Sequence, residues 1–122
     1  MPDPSAVPAA VTTYLESLGR LDFDRLAGTL AEDVERVGPW GDVVIGRHAY
    51  AAFLANVISS LPGYRLGVHR ALAAGPRGAV AEISERIDLA EGPTETPGAL
   101  LFDLDDDGLI TRVAVYLQQP PP

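Results

Sequence analysis

No cysteine occurs among the 122 residues, which excludes a disulfide framework, thiolate chemistry and any zinc site built on cysteine. Lysine is missing as well, and all nine basic residues are arginine. With so much Ala, Gly and Pro beside it, that bias reflects a GC-rich coding background and carries no mechanism. There is no excess of positive charge: the net is -8, with 17 acidic residues spread along the chain. Nucleic acid and anionic membrane are therefore poor partners. "MPDPSAVPAA" has neither a basic n-region nor a long apolar h-region, and no apolar run approaches membrane-spanning length. A soluble cytoplasmic protein is the expectation. Repeats and linkers are absent, and the length suits one domain, 1–122, with a single core.

What is present reads as α+β. "DPSAVPAAVTTYLESLGRL" carries Val7, Val11, Tyr14, Leu15 and Leu18 at helical spacing, with Gly19 at the C-terminal cap. "DFDRLAGTLAED" predicts a short second helix with Asp22 as N-cap and Phe23, Leu26 and Leu30 as its apolar stripe. In "VERVGPWGDVVIG", Gly38, Pro39 and Gly41 separate two short strands and leave Trp40 in the loop between them. "RHAYAAFLANVISSL" predicts a third helix with Tyr50, Phe53, Leu54, Val57 and Ile58 on one side, closed by Pro62 and Gly63. After Gly63 the period falls to two. Four strand-like runs follow, divided by turns at Gly75-Pro76, Gly92-Pro93 and Asp107-Gly108, and Pro120 to Pro122 form a frayed tail. Helices followed by an antiparallel meander imply a curved sheet with helices across its concave face and a small-molecule pocket between them.

The strand "AEISERIDL" poses the sharpest question. Alternation puts Glu82, Ser84, Arg86 and Asp88 on one face and Ile83, Glu85, Ile87 and Leu89 on the other. With the apolar set toward the core, the charged set stands in water. With the charged set on the concave side, Arg86 and Asp88 enter a low-dielectric cavity and must pair to offset desolvation. Period alone does not choose.

The layout, and in particular "ERIDL" followed by "FDLDDDGLITRVAVY", resembles the NTF2-like superfamily, within it the limonene-epoxide-hydrolase-like and SnoaL-like polyketide cyclase branch. The likeness runs from "YLESLGRLDFDRLAGTLAEDV" through "GRHAY" to the last strand. It implies an NTF2-like cone, with N-terminal helices packed on a curved antiparallel sheet enclosing a pocket. In the epoxide hydrolases an Arg and an Asp two apart on this strand point into the pocket. By that resemblance Arg86 is the bridging group and Asp88 the acid. The second carboxylate of those enzymes falls on Val115 and the two water-holding positions on Arg36 and Gly38, so their water-activating machinery is absent. Ketosteroid isomerases are matched at Tyr14, but their base falls on Gly38 and their oxyanion acid on Leu100.

An acid without a water site suits a substrate that brings its own nucleophile, as in a cyclisation or an epoxide opening. The expectation is thus a small-molecule enzyme of bacterial secondary metabolism with Asp88 and Arg86 as catalytic residues. Tyr14, Trp40, Glu82, Ser84 and Val115 are expected to bind an apolar, polyketide- or terpenoid-like substrate, with neither cofactor nor metal. Glu82 as base lies about 20 Å along the strand from Asp88, long for one small substrate. The alternative is a non-catalytic domain that binds an apolar ligand or dimerises. A homodimer fits either case, because "AVAEI" and "VAVYL" leave apolar side chains on the outer sheet face. Single histidines at 48 and 69 read as structural or solvated. "DLDDDGLI" matches the start of an EF-hand loop, yet its twelfth position is Ala114 and its flanks alternate as strands, so a turn is expected there.

Overall fold

Where the period shifts from 3.6 to 2, the chain passes from helices to sheet. The computed structural model describes residues 6–118. Its elements are α1 (Ala9–Gly19), α2 (Phe23–Ala27), β1 (Leu30–Val37), β2 (Val43–Ile45), α3 (Arg47–Ser59), β3 (Arg65–Ala73), β4 (Gly78–Leu89), β5 (Gly92–Leu104) and β6 (Ile110–Leu117). The proline tail at 120–122 lies outside the described residues. No described helix is long and apolar enough to cross a membrane.

The helices start and stop for local reasons. Pro8, lacking an N–H, precedes α1, and its carbonyl accepts from Val11 N at 3.0 Å. Asp22 caps α2 as expected, its Oδ1 accepting from the Arg25 N–H at 3.1 Å. That helix is shorter than its sequence suggests. It ends at Ala27, and Leu30, expected on its stripe, opens β1 as a fully buried strand residue. Gly28 breaks the helical run, and Leu30 gains more from sheet pairing beside Ile110 than from another helical turn.

The sheet runs β2-β1-β6-β5-β4-β3. The expected meander β3 to β6 is antiparallel throughout, while β1 joins β6 in parallel and β2 hangs on the outer edge of β1. Residues directly opposite one another share a face, so the register sorts the side chains. Ala79, Phe102 and Val113 form one inward row, and Ala81, Leu100 and Val115 the next. All six are buried. Against them pack Val11, Tyr14, Leu15 and Leu18 of α1, Leu26 of α2, and Tyr50, Leu54 and Ile58 of α3. Each large apolar side chain buried here contributes roughly 1.5–3 kcal/mol before chain entropy is counted.

The outward face is ordered too. Val43, Val37, Ala114, Leu101, Val80 and Leu72 lie side by side, one on each strand, across the full width of the sheet. The acidic run at Asp105–Gly108 is the turn between β5 and β6. Asp105 Oδ1 accepts from the backbone N–H of Asp107 and Leu109, and Gly108 supplies the positive φ.

Candidate functional site

Strand β4 settles which of its faces meets the pocket. Its ladder with β5 runs unbroken from Gly78 opposite Asp103 to Leu89 opposite Gly92, with no bulge to exchange the faces. Ile83 is buried in the core. Two residues on, Glu85 must point the same way, and after it Ile87.

Glu85 and Ile87 accordingly line a cavity of about 350 Å³ between helices and sheet, with Tyr14, Arg36, Asp42, Phe53, Tyr64 and Val115 among its other walls. The alternation carries Arg86 and Asp88 to the outer face. They form an ion pair at 3.5 Å with side chains 50% and 54% exposed. An exposed pair of that kind contributes between zero and about 1 kcal/mol. The inward placement implied by the epoxide-hydrolase resemblance therefore does not hold for either residue, because Ile83 takes the core side and Glu85 and Ile87 follow it inward. Glu82 is outside as well, 3.7 Å from Arg70. Ser84 is buried but outward, its hydroxyl donating to Glu95 Oε1 at 3.0 Å. Of the expected substrate-binding residues, Tyr14, Trp40 and Val115 do line the cavity. Trp40 stands at the mouth, 82% exposed.

The polar groups of the cavity come from α1, β1, β4, β5 and the loops between elements, with Tyr50 of α3 buried behind them. Tyr64, just before β3, donates its hydroxyl to Glu85 Oε2 at 2.6 Å. Tyr14 of α1 and Tyr50 of α3 share a hydrogen bond of 2.6 Å, and the Tyr14 ring meets Phe102 edge-on. Arg36 enters from β1, opposite Val113 and thus on the inward face. Its guanidinium carbon sits 4.9 Å from the centre of the Phe53 ring, and Nη1 is 3.6 Å from Asp42 Oδ2. Asp42 is held by the 38–42 turn, where Gly38 N–H donates to the Asp42 carbonyl at 2.8 Å. A side chain at 38 would push the Asp42 carboxylate aside, so glycine there leaves it room beside Arg36.

Burial dominates the electrostatics of the three phenols. It pushes Tyr14 up to about 12, offset in part by the Tyr50 hydrogen bond and by Arg36, with Glu85 opposing ionisation. Tyr50 is raised by burial and then by Tyr14, and Tyr64 by burial and then by the carboxylate it serves. All three keep their proton at neutral pH; Tyr64 donates to Glu85, and one of Tyr14 and Tyr50 donates to the other.

Sequence reasoning missed Glu85, Tyr64, Tyr50 and Asp42 and took Arg36 only as a lost water-holding position. One signal was available for Glu85: a charge between two isoleucines on an apolar strand face.

The profile of the SnoaL-like domain matches residues 11–113. Among solved structures, a Xanthomonas campestris pv. campestris protein provisionally named a polyketide cyclase is 31% identical, with 88% of this chain and 86% of that chain covered and a TM-score of 0.69. A Kribbella flavida protein provisionally named a ketosteroid isomerase is 28% identical over 94% of this chain and 82% of its own, with a TM-score of 0.75. An LEH-like epoxide hydrolase of M. tuberculosis is 22% identical over 91% and 81%, also at 0.75, and shows the fold alone. No curated protein matches by sequence.

The phenols make a prediction about alkaline pH. A tyrosine whose pKa is raised by folding holds its proton more tightly in the native state than in the unfolded one. Its stabilisation is therefore complete below pH 10.0 and is lost as pH rises through the folded value, about 12 for Tyr14. Each such group lowers stability by about 1.4 kcal/mol per pH unit across its window. Urea unfolding followed against pH should show this decline setting in above 10.0, with tyrosinate absorbance from these three appearing later still. Ionisation of all three at the ordinary tyrosine value, without loss of stability, would contradict the buried network.

Proposed function

The chain belongs to the SnoaL-like domain family, and on that premise we propose that it is a small-molecule enzyme of the cyclase or isomerase type. As a single-domain cytoplasmic enzyme of bacterial secondary metabolism it would act on an apolar, polyketide- or terpenoid-like substrate. The observation that carries this reading is the Glu85 carboxylate, set in an apolar cavity with Tyr64 donating to one of its oxygens.

We read Glu85 as the base, its carboxylate held toward the cavity by the Tyr64 hydroxyl. In the first step Glu85 takes a proton from the carbon next to a substrate carbonyl, and the C–H electron pair becomes an enolate. The enolate carbon then attacks a second carbonyl carbon of the same molecule and closes a ring. Glu85 returns its proton to the new alkoxide oxygen, so atoms and charge balance. Cavity walls such as Phe53, Leu54, Ile58 and Val115 fold the substrate toward that geometry. Acid-assisted epoxide opening remains within the family's range, but here its acid would have to be a protonated Glu85. Val115 and Gly38 offer no second carboxylate or water ligand, which supports ligand binding without turnover as the competing reading.

The outer face completes the proposal. Its apolar row, with Tyr116 exposed beside it, supports a homodimer formed sheet to sheet.

On a panel of cyclisable polyketone mimics and hydroxy-epoxides, Glu85→Gln should reduce turnover by about 10²–10⁴ and leave substrate binding intact. Asp88→Asn should leave both unchanged. Mass spectrometry of products with the reverse ranking would return the chemistry to the outer pair. Sedimentation should give a dimer that Leu101→Arg converts to a folded monomer, whereas a monomeric wild type would remove the dimer.

A further inference from the structure

Among the described residues, the buried side-chain nitrogens and oxygens with no hydrogen-bond partner are both on one residue: Nε and Nη1 of Arg36. The side chain is 11% exposed. Phe53 attracts the guanidinium from its ring face but accepts no N–H bond of ordinary strength. Asp42 Oδ2, at 3.6 Å from Nη1, lies beyond hydrogen-bond range and on a half-exposed side chain. The Tyr50 hydroxyl also lies beside the guanidinium, which favours ionisation of that phenol, but it accepts from neither Nε nor Nη1, and a buried cationic donor left in this state is costly. Arg36 also lines the same cavity as Glu85.

Charge then sorts the ligands that can meet it. Arg36 supplies one positive charge to the cavity, and Asp42 and Glu85 supply two negative ones. A carboxylate ligand would add a third negative charge in a space poor in water. An uncharged carbonyl oxygen adds none and accepts from the guanidinium. If Glu85 removes a proton beside that carbonyl, the negative charge it gives up reappears on the oxygen facing Arg36. The net charge of the site does not change, and the new charge forms next to its partner.

We infer that Arg36 binds the substrate's carbonyl oxygen through its unpaired Nε and Nη1, and that the substrate is an uncharged carbonyl compound, Asp42 acting against carboxylate analogues. Asp42 is the loosely held occupant that the substrate oxygen displaces. The assignment rests on the proposed function of the cavity, and the test below separates the two.

The probes are trans-decalone, labelled with carbon-13 at the carbonyl, and trans-decalin carboxylate of matched shape. Calorimetry should show the ketone binding about tenfold or more tightly than the carboxylate. The carbonyl resonance of the bound ketone should move downfield, as a guanidinium donor requires. Arg36→Met should abolish that shift and weaken the ketone about tenfold. Asp42→Asn, on an exposed turn, should narrow the gap between the two probes, and it decides the matter if Arg36→Met does not fold. Glu85→Gln should keep the carbonyl shift while ending deuterium exchange at the neighbouring carbon, so failure of the base shows up separately. Equal or tighter binding of the carboxylate would overturn the inference. So would a shift that survives in folded Arg36→Met, an Asp42→Asn variant with an unaltered gap, or no ketone binding up to its solubility limit.

Discussion

Everything in the site depends on the phase of one strand. Because a β-strand sends successive side chains to opposite faces, Ile83 cannot reach the core without turning Glu85 and Ile87 toward the cavity. The unbroken register with β5 leaves no bulge at which the faces could exchange. The same constraint sends Arg86 and Asp88 outward, where water screens them and little is gained from pairing. The carboxylate that faces the cavity is thus chosen by the burial of Ile83.

Around that carboxylate and behind the cavity wall stand phenols from α1, α3 and the residue before β3. Tyr64, Tyr14 and Tyr50 are kept neutral by burial, and the first of them fixes Glu85 directly. Arg36 brings the opposite charge from β1, braced on Phe53 and loosely offset by Asp42. On the proposed reading, the carboxylate, the guanidinium and the apolar walls that share this cavity would let a proton leave carbon while the charge it leaves behind is met at oxygen. Trp40, in the middle of the glycine-rich turn that holds Asp42, stands at the entrance.

Most of the fold was legible in the sequence. The helices, the switch to period two and the Trp40 loop follow from spacing and turn chemistry, and Asp22 caps its helix as such residues do. The extent of α2 was not legible, because Leu30 fits a helical stripe and a buried strand equally well, and its parallel partner Ile110 lies far along the chain. The site was half legible. Tyr14, Trp40 and Val115 were placed at the cavity, while Glu82, Ser84, Arg86 and Asp88 were not. The alternation on β4 showed both faces, and the family resemblance drew the reading toward the wrong one. Tyr50, Tyr64 and Asp42 gave no local sign, since their roles arise from contacts between elements distant in sequence.

The central claim is that Glu85 faces the ligand cavity and Arg86 faces solvent. The absence of cysteine makes it directly measurable. Glu85→Cys and Arg86→Cys, made singly, each provide one thiol for a water-soluble alkylating reagent, with and without bound trans-decalone. Slow labelling at position 85 that the ketone slows further, with fast and ketone-independent labelling at position 86, is the predicted result. Fast, indifferent labelling at 85 and ketone protection at 86 would contradict the account.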